Sequence, residues 1–213
     1  PISWLEDPGV PLSQTITRVT GLKDDDLAGT RLDVPRIKQI FDRADMFVAH
    51  NAGFDLGFLE RRFPSVVVKP WACSLQEIPW KELGLPCCSL GHLLMEHGHF
   101  FNGHRAAADV WATFQLLQMS EADRLNVVPD ADTQTYLKRL LESSDAGAVR
   151  LRAVRMPFDQ KDWVKSRGYH WDADRKIWWK DFPMDQYLAE KAAFAAAGLP
   201  EPVGTMMTAK DRY

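Results

Sequence analysis

The sequence predicts an α/β protein followed by a small α+β unit. Three observations predict it: short apolar runs that alternate with amphipathic helical stretches as far as Met119, a polar connection after that, and a stretch rich in tryptophan and β-branched residues from Val149 onward. Of the 213 residues 46% are hydrophobic, enough for a real core, and a net charge of −3 excludes a chain that is basic throughout. Any surface for polyanions must be local. Three cysteines, Cys73, Cys87 and Cys88, are odd in number and lack a framework spacing, so reduced thiols and a cytoplasmic location are expected. No apolar run is long enough to cross a bilayer, and no membrane partner is expected.

In chain order, "PLSQTITRVTGL" offers Ser13 as an N-cap and Gly21 as a stop, and so reads as a short helix. Asp24 to Asp26 follow, and acidic residues in a first turn complement the helix dipole more often than they bind a metal. "VPRIKQIFDRA" carries Val34, Ile37, Ile40 and Phe41 on one face, an amphipathic helix with Pro35 near its start. "MFVAH" is a buried strand that feeds the helix "AGFDLGFLERRF", with Asn51 as its N-cap. "VVVKPWACS" reads as a second strand, and "SLGHLLMEHG" as a helix with a stripe of Leu90, Leu93 and Leu94. "RAAADVWATFQLLQM" places Ala107, Val110, Trp111, Phe114 and Leu117 on the face expected to pack in the core.

Two acidic residues stand out in that frame. Asp55 falls in the first turn of a helix that leaves a strand, at the edge where α/β proteins build their sites. Asp109 lies in the first turns of the last core helix, with small neighbours at Ala106 and Thr113. Five residues on one helix subtend about 500°, so His104 cannot share the face of Asp109 and belongs to the "NGH" loop. Four histidines, His92, His97, His99 and His104, follow Cys87 and Cys88, but without the paired spacing of a structural zinc site.

"AHNAGFD" and "GHRAAAD", separated by "PWACSLQEI" and "SLGHLLMEHGHFF", resemble the second and third motifs of the DEDD 3′-5′ exonucleases of the histidine subclass, whose members include the proofreading epsilon subunit of bacterial DNA polymerase III. "PGVPLSQTITRVTGLKDDDLAG" is similar to the segment before the second motif, so the resemblance runs from about Trp4 to Met119. It implies a ribonuclease H-like fold and hydrolysis of phosphodiester bonds at 3′ ends with two divalent cations, magnesium or manganese. Cations roughly 3.5 to 4 Å apart stabilise both the attacking and the leaving oxygen, and such hard ions call for carboxylate oxygens. By resemblance Asp55 and Asp109 are metal ligands, His104 is the general base, and His50, Asn51 and Phe54 lie beside the terminal nucleotide. The implied partners are nucleic-acid 3′ ends, single-stranded DNA above all, and a polymerase or repair complex.

The family's first motif, an Asp-x-Glu on the first strand, has no match before "ISWLEDPG", and Glu6 and Asp7 beside a Pro-Gly turn are no substitute. Two explanations stand open: a sequence that starts part-way into a longer protein, or a fold that has kept its shape and lost its chemistry. On either, these 213 residues by themselves are expected to be inactive, and the second makes the chain a non-catalytic nucleic-acid or protein binding module.

The organisation expected is thus residues 1–120 as an exonuclease-like domain lacking its first strands, 121–148 as a helical linker, and 149–213 as a small basic, tryptophan-rich domain. In the last, "VRLRAVRM" reads as a strand, "DQKDWVKSRG" as a helix, "YHWDADRKIWWKDF" as a hairpin and "DQYLAEKAAFAAAG" as a helix. Between Val149 and Lys180 nine Lys and Arg face four Asp, and Trp163, Trp171, Trp178 and Trp179 share the stretch. Cations among aromatic rings suit single-stranded nucleic acid, with Arg150 and Arg152, two apart on a strand, as the expected phosphate contacts. The competing reading makes the rings a core and the charges a solvated surface.

Overall fold

The chain folds as two units that divide between Leu141 and Glu142, in a computed structural model that describes residues 1–208 and 211. In the first unit, α1 (Gln14–Thr20) starts on Ser13, whose hydroxyl accepts the Ile16 N–H, and stops at Gly21 with φ 68°, a left-handed conformation that suits glycine. The three aspartates open α2 (Asp24–Leu27): Asp26 accepts the Lys23 N–H at the helix start, and Asp24 accepts that of Leu12. Asp33 caps α3 (Val34–Arg43).

Strands β1 (Phe47–Ala49) and β2 (Trp71–Cys73) pair in parallel, Val48 opposite Ala72. Parallel strands need a crossover, and it is supplied by α4 (Ala52–Arg62) and a 3-10 turn over Pro64–Val68. The expected strand "VVVKPWACS" is therefore shorter than its composition suggests. Val66 to Val68 lie in the 3-10 turn, and Pro70, lacking an N–H, sits just before the paired segment.

Helices α5 (Leu90–Glu96), α6 (Ala106–Gln118), α7 (Glu121–Leu125) and α8 (Tyr136–Asp145) follow. One core cluster joins Leu93 and Leu94 of α5 to Ala112, Leu116 and Leu117 of α6, with Trp80, Tyr136 and Leu140. Tyr136 and Leu140 are fully buried there, so much of the segment read as a linker is part of the first unit's core. A second cluster joins Ile37 of α3, Ala52 and Leu56 of α4, and Trp71 and Cys73 of β2.

The face of α6 that packs is not the expected one. Leu117 is buried, but with Ala112, Thr113 and Leu116, whereas Val110, Trp111 and Phe114 are 60%, 50% and 52% exposed. A helix that is apolar on most sides offers two stripes, and the small Ala112 lets α5 approach where Trp111 would hold it off.

The second unit is a four-stranded antiparallel sheet in the order β4-β5-β3-β6, from β3 (Ala148–Ala153), β4 (His170–Asp172), β5 (Ile177–Pro183) and β6 (Val203–Met207). Helices α9 (Lys161–Ser166) and α10 (Tyr187–Ala196) contribute Val164 and Phe194 to a core with Val149, Leu151, Tyr169 and Phe182. In β3 the residues alternate, Val149, Leu151 and Ala153 inward and Arg150 and Arg152 on the other face. Among the described residues no helix is long and apolar enough to cross a membrane.

Candidate active site

At the end of β1 the chain must turn sharply to enter α4. Asn51 makes the turn at φ 95° and ψ 52°, a left-handed conformation that Asn adopts more readily than most residues. Its side chain forms no capping hydrogen bond, contrary to expectation, and the following Ala52 N–H points at Cys73 Sγ, 3.4 Å away. The turn leaves Phe54 62% exposed and Asp55 half-buried in the first turn of α4. The Phe54 ring lies 4.9 Å from that of Phe58 one turn on, so an aromatic surface flanks the carboxylate.

The first turn of α6 supplies Asp109. One of its oxygens accepts the backbone N–H of His104 at 3.2 Å, and His104 has φ 64° in the bend before the helix. This clasp holds the loop while the histidine side chain stays exposed. Burial pushes the Asp55 carboxyl above its ordinary range, against a smaller opposing effect of Asp55's own N–H, and the charge of Asp109 adds a still smaller push upward. The two carboxylates, 54 positions apart in sequence, therefore share one local field. Uncompensated like charges are unfavourable for folding and attractive to a cation.

His50, expected beside a nucleotide, has both ring nitrogens within hydrogen-bond distance of protein groups. Its Nε2–H donates to the Cys88 carbonyl at 2.8 Å, and its Nδ1 is 2.9 Å from the hydroxyl of the buried Ser74. Burial lowers its pKa, in keeping with a neutral ring that ties the end of β1 to the loop before α5. Both nitrogens are thus engaged internally. Among the described residues no group of three or more His, Cys, Asp or Glu side chains is arranged to hold a metal ion.

In the second unit the expected phosphate contacts are committed elsewhere. Arg150 grips Asp181 on the neighbouring strand through two hydrogen bonds of 2.7 Å and lies 4.2 Å from the centre of the Trp179 ring. Only 15% of its side chain is exposed, and Arg152 donates to the Thr205 hydroxyl at 2.8 Å. The two arginines share a face, but they do not point to solvent together. The 50% exposed Trp171 pairs with Trp178, and Trp178 with Ala153, which puts it on the opposite face of the sheet. Sequence spacing identified a strand face correctly and missed which partners that face meets.

No family model matches the chain, and no solved structure matches it. Curated proteins do. The PolC-type DNA polymerase III of Streptococcus agalactiae is 33% identical over 123 residues, which are 52% of this chain and 8% of that protein. That of Streptococcus suis is 34% identical over 131 residues, 56% of this chain and 9% of that protein. That of Listeria monocytogenes is 43% identical over 63 residues, 28% and 4% of the two chains. The chain spans less than a tenth of the length of these relatives, and about half of it is similar to one small portion of a PolC-type DNA polymerase III.

Proposed function

We propose that the first unit is the catalytic part of a 3′-5′ exonuclease of the histidine DEDD class, acting on single-stranded DNA ends within a polymerase or repair assembly. The observation that carries the proposal is the meeting of Asp55 and Asp109 in one electrostatic site, with His104 clasped to Asp109. Similarity to PolC-type DNA polymerase III supports the nucleic-acid context. The donor set fits magnesium or manganese in kind, since both acidic groups offer hard oxygen. It supplies two carboxylates where the family's cage uses four.

In this reading Asp55 and Asp109 would hold the divalent ions, which, when bound, supply electrophilic stabilisation to the phosphoryl oxygens. His104, on a loop fixed at its backbone and open at its ring, takes a proton from the attacking water. Phe54 offers a wall against which the terminal base stacks. Asn51, exposed at the turn, lies at the same edge, and His50 fixes that edge from behind.

The test uses the product of the complete reading frame and a 3′-labelled oligonucleotide. Release of single nucleotides with magnesium or manganese, abolished by a chelator, is the expected result. His104→Ala should lower kcat by about 10² to 10⁴ with little change in substrate affinity, because a general base acts in the transition state. The 213 residues alone should be nearly inert. Cleavage that persists in chelator, or an unaffected His104→Ala, contradicts the proposal. The described residues' lack of any three-ligand cluster favours a second reading, a binding module on the same fold. Absence of turnover in the complete product, with oligonucleotide binding that Phe54→Ala weakens, identifies that case.

A further inference from the structure

We propose that the second unit carries a binding groove for single-stranded nucleic acid, on the opposite sheet face from Arg150 and Arg152. The groove, about 640 Å³, is walled by the segment after β3, the start of α9 and the β4-β5 hairpin, and is lined by Phe158, Trp171, Trp178, Arg155, Lys161 and Lys176. Lys165 adds a fourth cation, 5.9 Å from the Trp178 ring centre. No carboxylate is among the lining residues.

Three features point to a ligand with both phosphates and bases. Phe158 is 81% exposed and Trp171 50% exposed, large rings that the fold leaves uncovered although the core of the unit is already closed by Val164, Tyr169 and Phe194. Lys161 sits 4.2 Å from the centre of the Phe158 ring, and Trp171 lies 5.2 Å from Trp178, so cations and rings are interleaved. Among the described residues, Arg155, Lys161 and Lys176 form no ion pair, in contrast to Arg150 and Arg167, each joined to a carboxylate.

An acidic peptide would use the cations and leave the rings idle. A single strand uses both, with cations on phosphates and rings on bases. The unit's positive stretch fits the same partner against an overall charge of −3. This inference stands apart from the exonuclease reading.

The test is anisotropy of labelled oligothymidylate and oligouridylate, each about twelve nucleotides, a length within the usual range of single-strand sites. It is performed with the full chain in chelator, where hydrolysis does not interfere. Binding is expected, and the arm bound more tightly identifies DNA or RNA as the source. Phe158→Ala with Trp171→Ala should weaken it about tenfold or more, while Trp171→Phe retains it. Lys161→Glu with Lys176→Glu should flatten the slope of log K against log salt by about 1.4, two contacts at roughly 0.7 each, and Lys38→Glu on α3 should not. Absence of binding, an unaffected double aromatic variant, or competition by inorganic polyphosphate as effective as by oligonucleotide would overturn the proposal. Trp171 is exposed, and melting curves of each variant report whether the fold is intact.

Discussion

Replacing Asp55 by asparagine should stabilise the protein at neutral pH in the absence of divalent ions. Asp55 sits in the first turn of a helix, where a negative charge usually gains about 0.3–1 kcal/mol. Working against that gain are the burial of Asp55 and the charge of Asp109, and Asp55 is pushed upward on balance, so the unfavourable effects win. The largest of these is burial, and placing a polar group in the interior without full compensation costs roughly 1–3 kcal/mol on mutational scales. After the lost dipole gain, Asp55→Asn should add about 1 kcal/mol, roughly 2–4 °C in Tm for a chain of this size. The pH dependence fixes the sign. A carboxyl with a raised folded pKa favours the folded state below its ordinary value of 3.8, and that contribution is lost as pH rises through the folded pKa. The variant's advantage should therefore be present at pH 7 and vanish below pH 3.8. The assay is urea denaturation in chelator across that range. An Asp55→Asn protein less stable than the parent at pH 7, or an advantage independent of pH, would refute the reasoning.

Leu116→Ala should cost about 2–5 kcal/mol and Val110→Ala less than about 1, since only the first is buried; melting curves in which Val110→Ala costs as much would show that the exposed stripe of α6 is packed. His50→Ala should destabilise by about 1–3 kcal/mol by leaving the Cys88 carbonyl unpaired, as chemical denaturation would measure. His50 is lowered by burial, so its contribution is present above its ordinary pKa of 6.5 and lost as pH falls through the folded value; a stability profile flat through that range would contradict it. Asp181→Ala removes the carboxylate that accepts two hydrogen bonds from Arg150 beside Trp179 and should cost about 1–3 kcal/mol in urea denaturation; an unchanged midpoint would show that this pair contributes nothing to stability.

Which parts of this protein were legible in sequence follows from how local the information is. Caps and stops are local, so Ser13 and Gly21 mark the ends of α1 as their chemistry dictates. The hairpin around "DADR" is local too, and the structure pairs Trp171 with Trp178 across it. Pairing partners are not local. Nothing near Arg150 in sequence announces Asp181, and nothing near His50 announces Ser74 and Cys88. The packed face of α6 was misread because its periodicity contains two apolar stripes, and only the approach of α5 selects between them. The basic-aromatic groove had a signal, the surplus of cations among tryptophans. Its location required the alternation of β3, which sends Arg150 and Arg152 one way and Ala153, Trp178 and Trp171 the other.

The most direct test of the central claim is the rate of 3′-end hydrolysis by the complete reading-frame product, measured in manganese for the parent, Asp55→Asn and Asp109→Asn. Each substitution keeps the shape of the side chain and removes one negative charge. Loss of turnover in both variants, with the fold retained, is the predicted result. Hydrolysis at the parental rate in either variant would contradict the claim that these two carboxylates form the catalytic site.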